Sequence, residues 1–501
     1  MGKPKNNNSS ISSINVNGLL ITDPTEMADN FNNFFSKVAD DIAQNIPPTT
    51  ARYDSYLKRF EGEPFSFRLI QEHKLLELID SIESKPTRDI YGYSSMLIKQ
   101  VAREIAKPLT HIINSSLSEG LFPDSFKLTR VCPIFKQGDR KDINNYRPIS
   151  CLSIFSKILE KVVHEQLFNF ISINNILHCN QFGFQKGKST EHALLKIMNY
   201  IAKAYNEGNL VAAVFLDYSK AFDTVNHNIL LNKLENYGIH GVALNWFKSY
   251  LTDRKIYTMV NGTFSSSYKI LNRSVPQGSI IGPLLFLLFI NDMPLCSNLF
   301  SILYADDTTC LSKGRDINTV GSHVNSELQK VSTWLKANQL AINVKKTKIM
   351  IFSTNKNVPE FPFYFNANDL NGTEDPHLIT KIDRISNSSD TRSFKMLGVH
   401  FEENLSFDIH IDKILKKINS ALFMINRAKH VLTLRSMRRL YFAMIHPHLL
   451  YGLTTYSATS LSNLSRLYKK QKQCLRIISG AKYNAHTEPL FIVIIYYLFT
   501  T

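Results

Sequence analysis

Phe300-Ser301-Ile302-Leu303-Tyr304-Ala305-Asp306-Asp307-Thr308-Thr309-Cys310-Leu311 holds two short β-prone runs, 301–304 and 308–311, around a tight turn with two adjacent carboxylates. Neighbouring side chains on a strand point to opposite faces, so two acids share one site only where the backbone turns. Crowded carboxylates repel each other, and a divalent cation with oxygen ligands is the usual remedy. An Asp-Asp pair alone is more often a solvated turn. A second stretch changes that reading: 210–217 is an unbroken apolar run ending in a single Asp. A buried strand that ends in a carboxylate presents it at the edge of its sheet. Asp217 and Asp306 together then make a two-metal site.

Three motifs stand in order along the chain. Phe215-Leu216-Asp217-Tyr218-Ser219-Lys220-Ala221-Phe222-Asp223-Thr224-Val225-Asn226-His227 resembles motif A of reverse transcriptases. Pro276-Gln277-Gly278-Ser279-Ile280-Ile281-Gly282-Pro283-Leu284-Leu285 resembles motif B, and Tyr304-Ala305-Asp306-Asp307 resembles motif C. The apolar run 284–290, closed by Asn291-Asp292, is similar to non-LTR retrotransposon polymerases of the jockey type. The resemblance extends over residues 22–491. It implies an α+β fold: a right-hand polymerase with fingers, an antiparallel-sheet palm and a helical thumb. The implied reaction is RNA-directed DNA polymerisation, with an RNA template, a DNA primer, dNTPs as substrates and pyrophosphate as product. Asp217 and Asp306 would hold two Mg²⁺, with Mn²⁺ as the alternative ion, and Asp307 would support them from beside. The Tyr218 carbonyl is the candidate for a further oxygen ligand. Two rivals are an inactive nucleic-acid-binding remnant of such a polymerase and a metal-dependent nuclease. The nuclease leaves motif B without a role.

Composition agrees with a polyanionic partner. The chain has 501 residues, enough for two or three domains, with 44% hydrophobic and 20% charged residues and a formal net charge of +16. Between 404 and 482 fourteen Lys or Arg face only Asp408 and Asp412, a net of +12. The six cysteines are scattered without a CxxC, which argues against a zinc module and a disulfide framework and suits a reducing, intracellular compartment. No signal peptide opens the chain, and the apolar stretch 490–499 is too short to span a bilayer, so no membrane partner is expected.

Residues 1–50 read as an N-terminal segment, disordered over 1–13, with a helix over 24–45 whose stripe is Met27, Phe31, Phe34, Phe35, Val38 and Ile42. Pro47-Pro48-Thr49-Thr50 is a linker. A helical extension over 51–120 follows, with helices at 69–82 and 94–119, the second kinked or split by Pro108. With about 100 residues before the fingers, no endonuclease domain is expected within this sequence, nor a Cys/His knuckle.

Residues 121–402 are the expected fingers and palm. After a strand at 131–135, Lys136 and Arg147 match the family residues that hold the incoming triphosphate, a point charge and a bidentate fork. Ile154, Ile158, Val162, Leu167 and Ile171 mark a helix under the fingers. Gln181-Phe182-Gly183-Phe184-Gln185-Lys186-Gly187-Lys188-Ser189-Thr190 resembles the fingers loop. The family usually has Arg where Gln185 stands, which removes a cation near the template path. Phe222, five residues after Asp217, falls where the family places an aromatic gate under the sugar. Val260-Asn261-Gly262-Thr263 signals a hairpin. Gln277-Gly278 opens the motif B helix, its glycine allowing close approach of a base or sugar.

The stripe Ile317, Val320, Val324, Leu328, Val331, Leu335 is a core helix. In 340–351, similar to motif D, Lys346 is the candidate to protonate the leaving pyrophosphate; a solvated charge run is the other reading. Residues 353–393 read as a loop or loose hairpins. Lys395-Met396-Leu397-Gly398-Val399-His400-Phe401 resembles the primer grip. A thumb over 403–490 has three helices, 409–430, 436–450 and 461–479. In the last, Arg466, Lys469, Lys470, Lys472 and Arg476 are expected on one side, free to track phosphates. Residues 491–501 are an apolar tail.

Overall fold

The computed structural model describes residues 10–355, 358–365, 380–386 and 392–495. A hairpin of β1 (Ile14–Val16) and β2 (Leu19–Ile21) leads into α1 (Pro24–Gln44). Asp23 caps α1 by accepting the Glu26 N–H at 2.8 Å, and Pro24 in the first turn has no N–H to lose. The disorder expected over 1–13 lies mostly outside the described residues. Within them, Ile11 and Ser13 are buried, and the Asn261 amide binds both backbone groups of Ile11. Three helices follow: α2 (Glu72–Ser81), α3 (Ser95–Gln100) and α4 (Ala102–Glu119). The break expected at Pro108 falls instead at Val101. Pro108 lies inside α4 on its exposed face, where water can take up the Glu104 carbonyl that the proline leaves free.

A first sheet starts with β3 (Leu128–Phe135) and its antiparallel partner β4 (Tyr146–Cys151). Next come α5 (Ile154–Ile173), α6 (Thr190–Asn206), β5 (Leu210–Leu216), α7 (His227–Asn236) and α8 (Gly241–Leu251). Then β6 (Arg254–Val260) joins β3 in parallel, and β7 (Thr263–Phe264) and β8 (Lys269–Leu271) pair with β6. The β6–β7 turn has Asn261 and Gly262 both at positive φ, as a two-residue hairpin requires. Helix α1 covers this sheet, its Phe31 meeting Tyr146 edge-on at 5.0 Å.

The second sheet carries the acids. After α9 (Gly282–Phe289) come β9 (Phe300–Tyr304), β10 (Asp307–Gly314), α10 (Ile317–Ala337), β11 (Lys348–Phe352), β12 (Phe363–Phe365) and β13 (Thr380–Ile385). The strand order is β12-β13-β11-β5-β10-β9. The antiparallel sheet expected from sequence is mixed, because β13 enters between β12 and β11 and runs parallel to β11. Of the loop or loose hairpins expected over 353–393, the described part holds two strands, β12 and β13, paired antiparallel; 356–357, 366–379 and 387–391 lie outside the described residues.

All seven residues of β5 are buried. Leu210, Ala212, Val214 and Leu216 face a core shared with α5, α7, α8, α9 and α10, while Val211, Ala213 and Phe215 face one shared with α6 and the C-terminal helices. A strand covered on both faces has no polar side, which is why it reads as a continuous apolar run.

One charge pair is wholly inside. Lys233 of α7 binds Asp292 at 2.5 Å and the Phe289 carbonyl at 2.7 Å, and Trp334 of α10 donates to the other Asp292 oxygen at 2.8 Å. This network joins α7, the end of α9 and α10 behind the sheet.

At the C-terminal end, β14 (Phe394–Met396) and β15 (Val399–Phe401) form a hairpin, with Phe394 stacked on Phe215 of β5 at 4.0 Å. The helices are α11 (Asp408–Ala428), α12 (Leu434–Met444), α13 (His446–Leu450), α14 (Leu453–Tyr456), α15 (Leu461–Ser479) and α16 (Glu488–Ile495). The single helix expected over 436–450 divides at Ile445, ahead of Pro447. The expected apolar tail begins as α16, whose Phe491 stacks on Tyr468 of α15; 496–501 lie outside the described residues. Among the described residues no helix is long and apolar enough to cross a membrane.

Removing one partner of the buried pair leaves the other as an uncompensated charge. Lys233→Ala is expected to cost about 3–5 kcal/mol of stability. Lys233→Met combined with Asp292→Leu should recover much of that loss, and urea unfolding midpoints measure both.

Candidate active site

Strand β5 ends at Leu216, and Asp217 follows at the end of the central sheet. Its backbone is fixed from motif D: the Asn343 N–H donates to the Asp217 carbonyl at 2.7 Å, and the Asp217 N–H to Thr347 Oγ1 at 3.3 Å. On the neighbouring hairpin Tyr304 pairs with Asp307, which leaves Ala305-Asp306 as a two-residue turn, with Ala305 left-handed at φ +56°. Thr308 pairs with Leu216, so one residue further along stand Asp307 and Asp217. The sheet register thus brings all three acids to one place.

Their electrostatics follow from that crowding. Burial raises the Asp217 carboxyl, Lys346 and Lys136 pull it down, and Asp306 lifts it again. Burial also raises Asp306, against Arg147 and Lys136. Asp307 is the most exposed of the three, yet the surrounding protein, with Asp306 and Asp217 beside it, pushes its carboxyl up to about 6. None of the three has an ion-pair partner among the described residues. No three His, Cys, Asp or Glu side chains there are gathered closely enough to hold a metal unaided. The donor set still fits a hard divalent cation: oxygen ligands only, with unneutralised charge. Mg²⁺ commonly takes one or two carboxylates and completes its shell from water and substrate phosphates.

Three of the candidate nucleotide residues are cations close enough to act on the acids. Lys136 follows β3, Arg147 lies on β4, and Lys346 stands in the turn before β11; all three are exposed. The Lys136 ammonium is lowered by burial and by Arg147 and Lys346, and raised by Asp217 and Asp306. Three cations and the acids therefore share one field.

Phe222 is half-buried, stacked on Phe286 of α9 at 4.3 Å, with Phe184 edge-on at 6.4 Å. Gln277 donates to the buried Asp223 at 2.8 Å. Helix α9 begins at Gly282 rather than at Gln277-Gly278, because Gly278 turns at φ +109°. A Cβ on Gly278 would lie 2.7 Å from the Ser150 carbonyl oxygen, so the close approach that demands glycine is to β4 of this chain. Buried Glu160 of α5 accepts the Ile280 and Ile281 N–H groups at 2.7 and 3.4 Å and holds the turn open.

Sequence reasoning missed Glu160, Asp223, Lys220 and Gln181. Lys220, left-handed at φ +49°, sits over the Phe34 ring of α1 at 4.6 Å and ties that helix to the motif A turn. The one legible signal was Glu160 inside an apolar helix stripe. Gln185, where a cation was expected from the resemblance, instead donates from Nε2 to the Gln181 carbonyl at 2.6 Å, and Lys188 Nζ donates to the same carbonyl at 2.7 Å.

The basic side of α15 is less free than expected. Arg466 pairs with Asp412 of α11, Arg476 donates to the Ala485 carbonyl at 2.9 Å, and Lys472 lies over the Tyr468 ring at 4.1 Å. Lys470 reaches Gln473, and Lys469 stays exposed.

Residues 134–401 match the family model described as reverse transcriptase (RNA-dependent DNA polymerase). The chain is 27% identical to the probable RNA-directed DNA polymerase from transposon BS of Drosophila melanogaster, over 87% of this chain and 48% of that protein. It is 26% identical to the RNA-directed DNA polymerase from mobile element jockey of the same species, over 90% and 49%, and 26% identical to that of Drosophila funebris, over 85% and 46%. The chain spans about half the length of these relatives.

Proposed function

The chain belongs to the reverse transcriptase (RNA-dependent DNA polymerase) family, and from that premise we propose that it extends a DNA primer on an RNA template with dNTPs, as part of a non-LTR retrotransposon. The supporting observation is that the sheet register sets Asp217 beside the Asp306-Asp307 turn, in one electrostatic field with Lys136, Arg147 and Lys346. A nuclease site has no need of three cations placed to receive a triphosphate.

The β9-β10-β5-β11 sheet is the palm, β3, β4 and β6 belong to the fingers with α1 on their back, and 403–490 form the thumb. Asp217 and Asp306, with the Tyr218 carbonyl, would hold two Mg²⁺, and those ions would supply activation of the primer 3′-hydroxyl and charge stabilisation at the leaving oxygens. Lys136 and Arg147 bind and orient the triphosphate, countering its charge in a cleft partly withdrawn from water. Lys346, beside Asp217, carries the proton for pyrophosphate. Gln277 and Gly278 hold the motif B turn against β4 under the nucleotide. Phe222, backed by Phe286, fills the space below the sugar. Exposed Lys469, with Lys470 and Lys472, tracks duplex phosphates; Arg466 and Arg476 act chiefly in holding α15 to its neighbours.

Asp217→Asn and Asp306→Asn should each lower primer extension on poly-rA/oligo-dT with labelled dTTP by about a thousandfold or more, about 4 kcal/mol of barrier. Duplex binding should be kept. Near-parental extension in Mg²⁺ by either variant would remove the assignment.

Sugar choice gives a sharper check. A ring at Phe222 collides with a ribose 2′-hydroxyl but admits deoxyribose, so Phe222→Val should raise rNTP use relative to dNTP by one to two orders of magnitude, on the order of 1–3 kcal/mol. The ratio of kcat/KM values measures it. An unmoved ratio would make Phe222 a packing residue of α9.

A further inference from the structure

The segment before α6 does more than connect elements. Asn180 and Phe182 pair with the free edge of β9: the Leu303 N–H donates to the Asn180 carbonyl at 2.9 Å, and the Phe182 N–H to the Leu303 carbonyl at 2.8 Å. Asn180 Nδ2 adds a bond to the Ser301 carbonyl at 3.0 Å. This short ladder stops where the Ala305-Asp306 turn begins.

There the Gln181 side chain, 2% exposed, takes over. Its Oε1 accepts the Gly183 N–H at 2.8 Å and the Ala305 N–H at 3.0 Å. Ala305 is the left-handed residue of the turn, a conformation that disfavours any residue with a Cβ. Gly183 lies against the same backbone: a Cβ there would fall 2.4 Å from the Ala305 nitrogen. From the other side, Gln185 and Lys188 fasten the Gln181 carbonyl.

The turn needs restraint. Asp306 and Asp307 share a field with Asp217, and no cation among the described residues is in contact with them. Repulsion of this kind is relieved by any movement that separates the acids. A two-residue turn with an unfavourable backbone at its first position is the part most ready to move.

We propose that Gln181, with Gly183 packed beside it, is a positioning residue that clamps the Ala305 backbone and so fixes Asp306 at its working distance from Asp217. The assignment rests on the reading of Asp306 as a metal-binding carboxylate. Gln181 touches neither substrate nor ion; it acts through the turn.

Gln181→Met keeps size and burial but removes the acceptor. Partners that orient metal ligands are typically worth 10–100-fold in affinity or activity. The variant should therefore need roughly 10–100-fold more Mg²⁺ for half-maximal primer extension, with lower kcat at saturating nucleotide. Its KM for dTTP and its affinity for primer–template should stay within about twofold of the parent. A purely structural role for Gln181 would lower the melting temperature and leave the Mg²⁺ requirement alone. Asp306→Asn is run alongside. If Asp306→Asn is inactive while Gln181→Met keeps the parental Mg²⁺ requirement and kcat, the clamp is wrong and the metal site stands. If Asp306→Asn stays active, both fall. Hydrogen exchange of the parent protein gives a reading without substitution. The Ala305 amide should be protected like the strand amides of β9, and exchange at the rate of an open turn would overturn the clamp.

Discussion

Repulsion among Asp217, Asp306 and Asp307 is the constraint that the surrounding structure answers. The three arrive together because Leu216 and Thr308 are paired neighbours in a sheet buried on both faces, which leaves the next residue of each strand no other place to go. Burial lifts the carboxyls of all three, and the charges of Asp306 and Asp217 lift Asp307 further. A fold that gathers like charges in this way must supply stiffness to hold them and opposite charge to use them. The stiffness comes from the sheet register, the Asn343 and Thr347 bonds to Asp217, and the contacts of Gln181 with Ala305. The opposite charge comes from Lys136, Arg147 and Lys346, exposed within the field of the acids, where they can meet a ligand that is itself an anion.

Motif B shows the same economy of means. Gly278 reaches φ +109° against the Ser150 carbonyl, Glu160 takes up the two amides at the turn, and Gln277 is held by Asp223. Behind them the Lys233–Asp292–Trp334 network fixes α9 relative to α7 and α10. Glu160, Asp223, Lys233 and Asp292 are polar groups inside the protein with their partners already in place, so this part of the site is shaped before any ligand arrives.

Much of this was legible in the sequence wherever the signal was local. The run 210–216 announced a buried strand, Asn261-Gly262 announced its hairpin, and the apolar stripe from Met27 to Ile42 announced α1. Asp217 and Asp306 were legible because a strand end and a tight turn fix where a side chain points. What stayed hidden depends on partners far away in the chain. Lys233 looks like any solvated lysine until Asp292, 59 residues on, closes over it. Arg466 looks free until Asp412, 54 residues back, takes it up. Strand β13 sits in a polar stretch and reveals itself only by slotting in beside β11. The position of Pro108 misled because its cost depends on whether its face of the helix meets water, which no local pattern states.

The central claim is that Asp217 and Asp306 bind divalent ions jointly with an incoming triphosphate, as Mg²⁺ commonly takes one or two carboxylates and completes its shell from water and substrate phosphates. The direct measurement is equilibrium binding of Mn²⁺, followed by its electron paramagnetic resonance signal, with primer–template present and with or without a non-hydrolysable dNTP. The account predicts weak binding without nucleotide and strong binding with it in the parent, and loss of the nucleotide-dependent part in Asp217→Asn and in Asp306→Asn. Equal Mn²⁺ binding by parent and variants, or binding indifferent to the nucleotide, would contradict it.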